Sequence, residues 1–428
     1  MTRTIARWIV LTMLVAATSG VALARNAQSP VPVGTKITLR NWQQYRDYLS
    51  IGYQALLGGK YHWKVPDEAM LEVGPTLSYP LPPKFWQDTE KYGSQVKLRR
   101  LPNGGYALDN YVAGEPFAKP NGPLAGEELL YDLYYNYTPA VQYTAESSGH
   151  IIDRFDDVSY QELIVVFHRL SHVSDIGWNV TNPEASGIYF SFFNELLIPE
   201  QSKYTTALQL QYDDVERFPD FYTFLPSLRR SLRLTTAARC APLQGSDFVN
   251  DDISPVPLPP TIDQATLLGE KKILAAWAPP GAEGRTFKDT NDWYQPGFYW
   301  PKAASDVKWQ VRDVWVLEEK RVTSMAAGYC YGKKIYYVDK EFYSQIENES
   351  YDANMKLWKV EIGFRTPIPV PGGGVYATSA GYINMYDLQN DHASIGLQSI
   401  TAVNSNVPRK YYDVGKFTLP SGLAEVMQ

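Results

Sequence analysis

FPDFYTFLPSLRRSLRLTTAARCAPLQGSDFVNDD, Phe218 to Asp252, is the stretch from which the fold of this 428-residue chain is read. An aromatic run, Phe218 to Phe224, meets Pro226. A basic run follows, with Arg229, Arg230 and Arg233 alternating with Leu228, Leu232 and Leu234. Such alternation marks a strand with one buried and one polar face. Then come Cys240 and an acidic turn, Gly245-Ser246-Asp247-Phe248 through Asp251-Asp252. The stretch holds no nucleophile–base pair and no phosphate loop.

In a regular strand Arg229 and Arg233 share one face and Arg230 takes the other. Two roles stay open for them. At the rim of an apolar cavity they suit a lipid phosphate or a substrate carboxylate. Alternatively they pair with Asp247, Asp251 or Asp252 as structural ion pairs.

Working outward, strand signals dominate from about residue 138. Tyr160 to Leu170, Ile188 to Ile198 and Tyr204 to Tyr212 precede the opening stretch. After it come Trp309 to Leu317, Met325 to Val338, Phe342 to Tyr351, Met355 to Phe364, Val375 to Leu388 and Ala393 to Val403. Leu267 to Trp277 reads as a short helix or a strand. Many strands with turn signals every 8–12 residues indicate one large antiparallel sheet curled into a barrel or half-barrel. Pro371-Gly372-Gly373-Gly374 precedes a strand and reads as a turn. Helices are expected at Asn41 to Leu57, Phe85 to Tyr92 and Ala125 to Tyr135, and a hairpin at Gln95 to Arg100 with Tyr106 to Val112. The fold class is mainly β (α+β). Residues 25–428 read as one domain, with 25–137 mixed and helical and 138–428 mainly β.

The N-terminus has the pattern of a signal peptide. Arg3 and Arg7 precede the apolar core Trp8 to Val15, and Ala22-Leu23-Ala24 is an A-x-A site, so cleavage is expected after Ala24. No cysteine follows that site, which speaks against a lipid anchor. The expected compartment is the periplasm. There, two cysteines, Cys240 and Cys330, favour one disulfide.

Lys and Arg total 40 against 46 Asp and Glu, a net charge of −6, which argues against a general nucleic-acid binder. Aromatics make up 14% of the chain, including 31 tyrosines. Tyrosine suits strands, pocket walls and wet interfaces, so part of this excess fits a ligand groove.

Catalytic motifs are wanting. His168 and His172 are spaced i, i+4, but on a strand that places them about 13 Å apart, which does not suit zinc. No Gly-x-Ser-x-Gly elbow accompanies a histidine. The carboxylate neighbours Asp156-Asp157, Asp213-Asp214 and Asp251-Asp252 fit turns and solvated faces better than an acid–base pair. No motif asks for a cofactor or a metal.

Several blocks together resemble domain-of-unknown-function family 1329, associated with outer-membrane lipoprotein sorting. They include Val73-Gly74-Pro75-Thr76, Asn110-Tyr111-Val112-Ala113-Gly114, LPSLRRSLRL with RCAP and GSDF, YQPGFYWP at Tyr294 to Pro301, and VKWQVRDVWVLE at Val307 to Glu318. YCYGKKIYYVDKE at Tyr329 to Glu341, and Tyr351-Asp352 before Lys356-Leu357-Trp358-Lys359, belong with them. PSLRR…GSDF…DD is also similar to the wider LolA/LolB-like superfamily. The resemblance implies an unclosed half-barrel with covering helices around an apolar cavity. It also implies a soluble carrier of a lipid or other lipophile, with an inner-membrane RND-type transporter or an outer-membrane protein as possible partner. On that frame Phe218 to Asp252 becomes a central strand with its exit turn, tied by Cys240 to the strand carrying Cys330. Trp309, Trp315, Tyr336, Phe224 and Leu232 become cavity candidates. Competing readings are an envelope hydrolase using carboxylates in a cleft, and a structural adaptor of an exporter.

Overall fold

The computed structural model describes residues 29–60, 65–155, 157–234, 240–252, 259–277, 300, 307–399 and 402–425. Residues 1–28, which hold the expected signal peptide, Asp156, most of the proline-rich stretch before Pro260 and all but Trp300 of the YQPGFYWP block lie outside them.

Small elements come first. Strands β1 (Lys36–Thr38) and β2 (Met70–Glu72) pair with each other, and β3 (Lys97–Arg100) and β4 (Tyr106–Asp109) form the expected hairpin. The helix expected over Asn41 to Leu57 is broken. A 3-10 turn covers Trp42–Tyr48, and Leu49 turns extended. Ser50 then restarts the chain as α1 (Ile51–Ala55), its side chain accepting the Tyr53 N–H at 3.1 Å. A serine hydroxyl satisfies an orphan donor at a helix start, so Ser50 sets the break. Helix α2 (Pro83–Tyr92) starts at a proline, and α3 (Ala125–Tyr135) carries Glu127 and Glu128 at its positive end. A β-carbon on Gly126 would stand 2.4 Å from the Ala265 carbonyl oxygen, so glycine lets α3 lie directly on the sheet.

The sheet is two meanders joined in the middle. The first runs through β5 (Val141–Ile152), β6 (Val158–Arg169), β7 (Ile188–Ile198), β8 (Thr206–Tyr212), β9 (Asp220–Leu225) and β10 (Arg230–Leu234). The second runs through β11 (Asp263–Trp277), β12 (Lys308–Arg321), β13 (Lys333–Asp339), β14 (Gln345–Tyr351), β15 (Leu357–Pro369), β16 (Val375–Asp387) and β17 (His392–Ser399). Strand β17 then pairs with β5, and the short β18 (Ala402–Val403) also pairs with β5. Among the described residues the strands of this sheet pair antiparallel, apart from the parallel contact of Trp277 with Arg365, where β11 curls back onto β15. Among the described residues nothing pairs with the outer side of β10, so the large sheet is not a closed barrel.

The Leu267 to Trp277 segment is therefore strand, all of the 15-residue β11 but its first four residues. Pro371 to Gly374 is the β15–β16 turn, with φ of 91°, 97° and 80° at its three glycines.

Separate apolar clusters cover the sheet. Tyr53, Leu56 and Leu57 pack on Leu274, Trp309 and Val360. Phe85, Leu129 and Leu133 pack on Ile273, Val314 and Tyr336. At the C-terminus α4 (Val414–Thr418) and α5 (Gly422–Glu425) bring Phe417 and Leu423 onto Val166, Phe193 and Leu208. Truncating a buried aromatic such as Phe417 to alanine costs about 3–5 kcal/mol.

The opening stretch departs most from its sequence reading. Arg229 sits at φ 51° in the turn after Pro226, so its neighbours form a hairpin, β9–β10, rather than one long strand. That hairpin is the edge of the sheet, not its centre.

A cavity beneath a strap as candidate functional site

Residues opposite each other on neighbouring strands share a face. One row runs Lys334, Ser350, Lys359, Asp387, His392 across β13 to β17. A parallel row runs Ile383, Gly396, Gly149, Gln161 across β16, β17, β5 and β6. Across this face lies a strap, Cys240 to Asp252.

The strap closes on itself locally. The Leu243 N–H donates to the Phe248 carbonyl at 2.7 Å, and Pro242 bridges Val249. Gln244 and Gly245 turn at φ 51° and 84°, and glycine makes the second of these unstrained. The Val249 N–H donates to Asp252 Oδ2 at 3.0 Å.

Polar contacts then pin it to the sheet. Lys334 Nζ donates to Asp252 Oδ1 at 2.7 Å, and the Tyr331 hydroxyl donates to Asp252 Oδ2 at 2.7 Å. Ser394 Oγ donates to Asp247 Oδ2 at 2.7 Å and accepts the Asp247 N–H at 2.8 Å. His392 Nδ1 lies 2.8 Å from the same carboxylate oxygen, and Lys359 Nζ donates to the Asp247 carbonyl. Arg321 pairs with Asp251 at 2.9 Å. Gln161 donates to the Gln244 carbonyl, and Gln244 to Asn194, each at 3.0 Å. A disulfide joins Cys240 to Cys330 at the strap's start. Cys330 lies in the connection leading to β13 rather than in the strand itself.

Burial alone would raise the Asp252 carboxyl, but Lys334 and Lys359 outweigh it and hold it below the usual carboxylate range. Burial likewise penalises the Lys334 ammonium, and Asp252 more than restores it. The bond to Asp247 raises the His392 imidazole against partial burial.

Between strap and strands lies a cavity of about 150 Å³. Its floor includes Ser147, Ser148, Gly149 and Gly396, and Leu163, Val165, Phe192 and Ile383 supply apolar wall. A β-carbon on Gly149 would meet nothing nearer than the Ile395 carbonyl oxygen at 3.9 Å, so the missing side chain is open space. His150 borders the cavity next to Gly149 but packs its ring on Tyr160 across the other face of the sheet, and burial pushes its imidazole down to about 4. A second, more polar cavity of about 270 Å³ lies at the end of β6, between Trp178, Asn182 and Tyr412.

Of the sequence candidates, Asp252 reaches the first cavity and Asp247 holds its strap. Trp309 donates its ring N–H to the Tyr53 hydroxyl at 2.8 Å in the core, and Trp315, Tyr336 and Phe224 are packed in other clusters. These four, and the half-exposed Leu232, line neither cavity. The arginines do not pair with the acidic turn. Arg233 bonds Asp220 instead, and Arg229 and Arg230 are exposed.

His168 Nε2 lies 2.7 Å from the Tyr411 carbonyl oxygen and His172 Nδ1 2.8 Å from that of Val112, so the two histidines serve separate structural contacts. Among the described residues no three His, Cys, Asp or Glu side chains gather as metal ligands. Sequence reasoning missed Gly149, Gln161, Gly396, Lys334 and Lys359. Glycine inside a strand often marks close approach or vacant space, and that signal was present in SSGH and SIG.

A family model described as protein of unknown function (DUF1329) matches residues 36–418. No curated protein matches the chain. Among solved structures, a DUF1329 family protein from Desulfovibrio piger is similar at 15% identity and TM-score 0.47, covering 69% of this chain and 100% of that one. A candidate outer membrane lipoprotein-sorting protein domain from Vibrio parahaemolyticus is similar at 14% identity and TM-score 0.46, covering 69% and 98%. A LolA superfamily protein from Nitrosomonas europaea is similar at 14% and TM-score 0.38, covering 67% and 96%.

Proposed function

The chain belongs to the DUF1329 family, and on that premise we propose that it binds or carries a lipid or other lipophilic molecule. The observation that carries this reading is the cavity beneath the Cys240–Asp252 strap, roofed by residues held by Lys334, Lys359 and Ser394 and floored by Gly149. Apolar groups gain about 0.8 kcal/mol per buried methylene, so such a site binds usefully without catalytic groups. The chain acts as one unit in the periplasm after loss of residues 1–24, not as an enzyme. It serves an envelope lipid-transport or RND-type export system, receiving from or delivering to a membrane protein.

The test is native mass spectrometry with lipid extraction on protein purified from the cells that make it. A co-purifying lipophile, displaced by filling the cavity, is the expected result. Absence of any co-purifying lipophile, together with no binding from a lipid panel, overturns the reading.

A further inference from the structure

The lining of the strap cavity narrows the ligand class, and this step rests on the binding reading above. We propose that the site takes the uncharged, hydrogen-bonding end of a lipophile, such as an ester, amide or hydroxyl, and excludes carboxylate and phosphate headgroups.

The cations around the site are already engaged. Lys334 is held by Asp252 and by the Asp251 carbonyl oxygen. Lys359 is held by the Asp247 carbonyl and Tyr331, and Arg321 by Asp251 and Asp263. His150, next to Gly149, turns its ring to the other face of the sheet against Tyr160, and it is neutral at pH 7. Asp252 itself lines the cavity as a carboxylate. An incoming anion would lose its hydration, meet that carboxylate and find no spare positive charge. A cation gains little, because both Asp252 oxygens already accept hydrogen bonds.

Neutral groups fare better. Gln161, Asn194, Gln244 and Ser246 place amides and hydroxyls around the space. A ligand carbonyl or hydroxyl can exchange hydrogen bonds with such groups without bringing a charge out of water. At about 150 Å³ the space holds a benzene-sized group, so one end of the lipophile enters. Its chain leaves past Leu163 and Phe248, which stay half-exposed.

The test is equilibrium dialysis of the delipidated full chain at pH 7.5 against monoolein and against oleate, with sedimentation on dioleoylphosphatidylglycerol vesicles as a third arm. Monoolein is expected to bind at least about tenfold more tightly than oleate, with no retention on the vesicles. Gly149→Leu is expected to weaken monoolein at least about tenfold, and Gln161→Leu, which removes an amide from the wall, about fivefold, the worth of one hydrogen bond. Gln161→Leu keeps the test intact if Gly149→Leu does not fold. Oleate or vesicle binding equal to monoolein overturns the uncharged class while leaving the lipophile reading standing. Binding of none of the three overturns both. Monoolein binding untouched by either folded variant overturns the assignment to this cavity.

Discussion

His392 Nδ1 lies 2.8 Å from Asp247 Oδ2, joining the central strand β17 to the strap above it. That bond raises the imidazole above its ordinary value, with smaller help from the charges of Asp247, Asp387 and Asp153 and against partial burial. A raised folded value means stability fully present below about pH 6.5 and lost as pH rises through the folded value. The thermal stability lost in His392→Gln should therefore be larger at pH 5.5 than at pH 8.5. A difference independent of pH would show that the charge contributes nothing.

Glu347 is a second titrating position, on the opposite sign of charge. Burial, with Glu349 adding to it and Ser50 and Lys271 opposing, pushes its carboxyl up to about 8. The folded chain then holds a proton that the unfolded chain releases near pH 4.5, so stability falls as pH rises from there to about 8. The slope is at most about 1.4 kcal/mol per pH unit. Glu347→Gln should flatten denaturant midpoints measured between pH 6 and 8. An unchanged slope would place the titration elsewhere.

Reduction of Cys240–Cys330 frees a loop with a sequence separation of 90 residues. In the chain-entropy model this costs about 4–5 kcal/mol. Cys240→Ser should lower the melting temperature and, because the strap starts at Cys240, weaken ligand binding as well. Two reactive thiols in the denatured, unreduced protein would contradict the bond itself.

Arginines at two depths should behave differently. Arg312 is buried and donates to both Asp339 oxygens at 2.6 and 2.8 Å and to Glu341 at 2.9 Å. Removing one partner strands buried charges, so Arg312→Ala should cost about 3–5 kcal/mol. Arg229→Ala and Arg230→Ala, at exposed positions, should each stay within about 0.5 kcal/mol in chemical denaturation. A large effect at Arg229 or Arg230 on ligand affinity would restore them to the site.

The elements were legible where local pattern and burial agree. Helix α3 spans Ala125–Tyr135 as its apolar periodicity indicates, and β7 spans Ile188–Ile198. The pattern misled where a single residue redirects the chain. Ser50 restarts a helix that the apolar spacing carries through, and Arg229 turns where alternation reads as continuous. Strand β11 resisted reading because its first part alternates and its end is buried on both faces, which periodicity alone does not separate from a helix. The site was less legible still. Lys334, Lys359, His392 and Gly149 are brought beneath the strap only by strand register, and the strap residues that Lys334, Lys359 and His392 hold are distant in sequence.

The order of the strands bears on how the molecule is made. Each meander consists of near neighbours that can pair as they are synthesised. The seam between them sets Ala393 of β17 beside Ile152 of β5, nearly the last strand against the first of the sheet. Contacts so distant in sequence are slow to form, because a long loop must close before they repay its entropy. Until β17 arrives, β5 lacks its main neighbour on that side and the strap lacks its anchors His392 and Ser394. A chain released early, or clipped before residue 392, would expose that edge to pairing with other chains. The middle of this sheet is thus the part that waits for a nearly complete polypeptide, while its rims can assemble early.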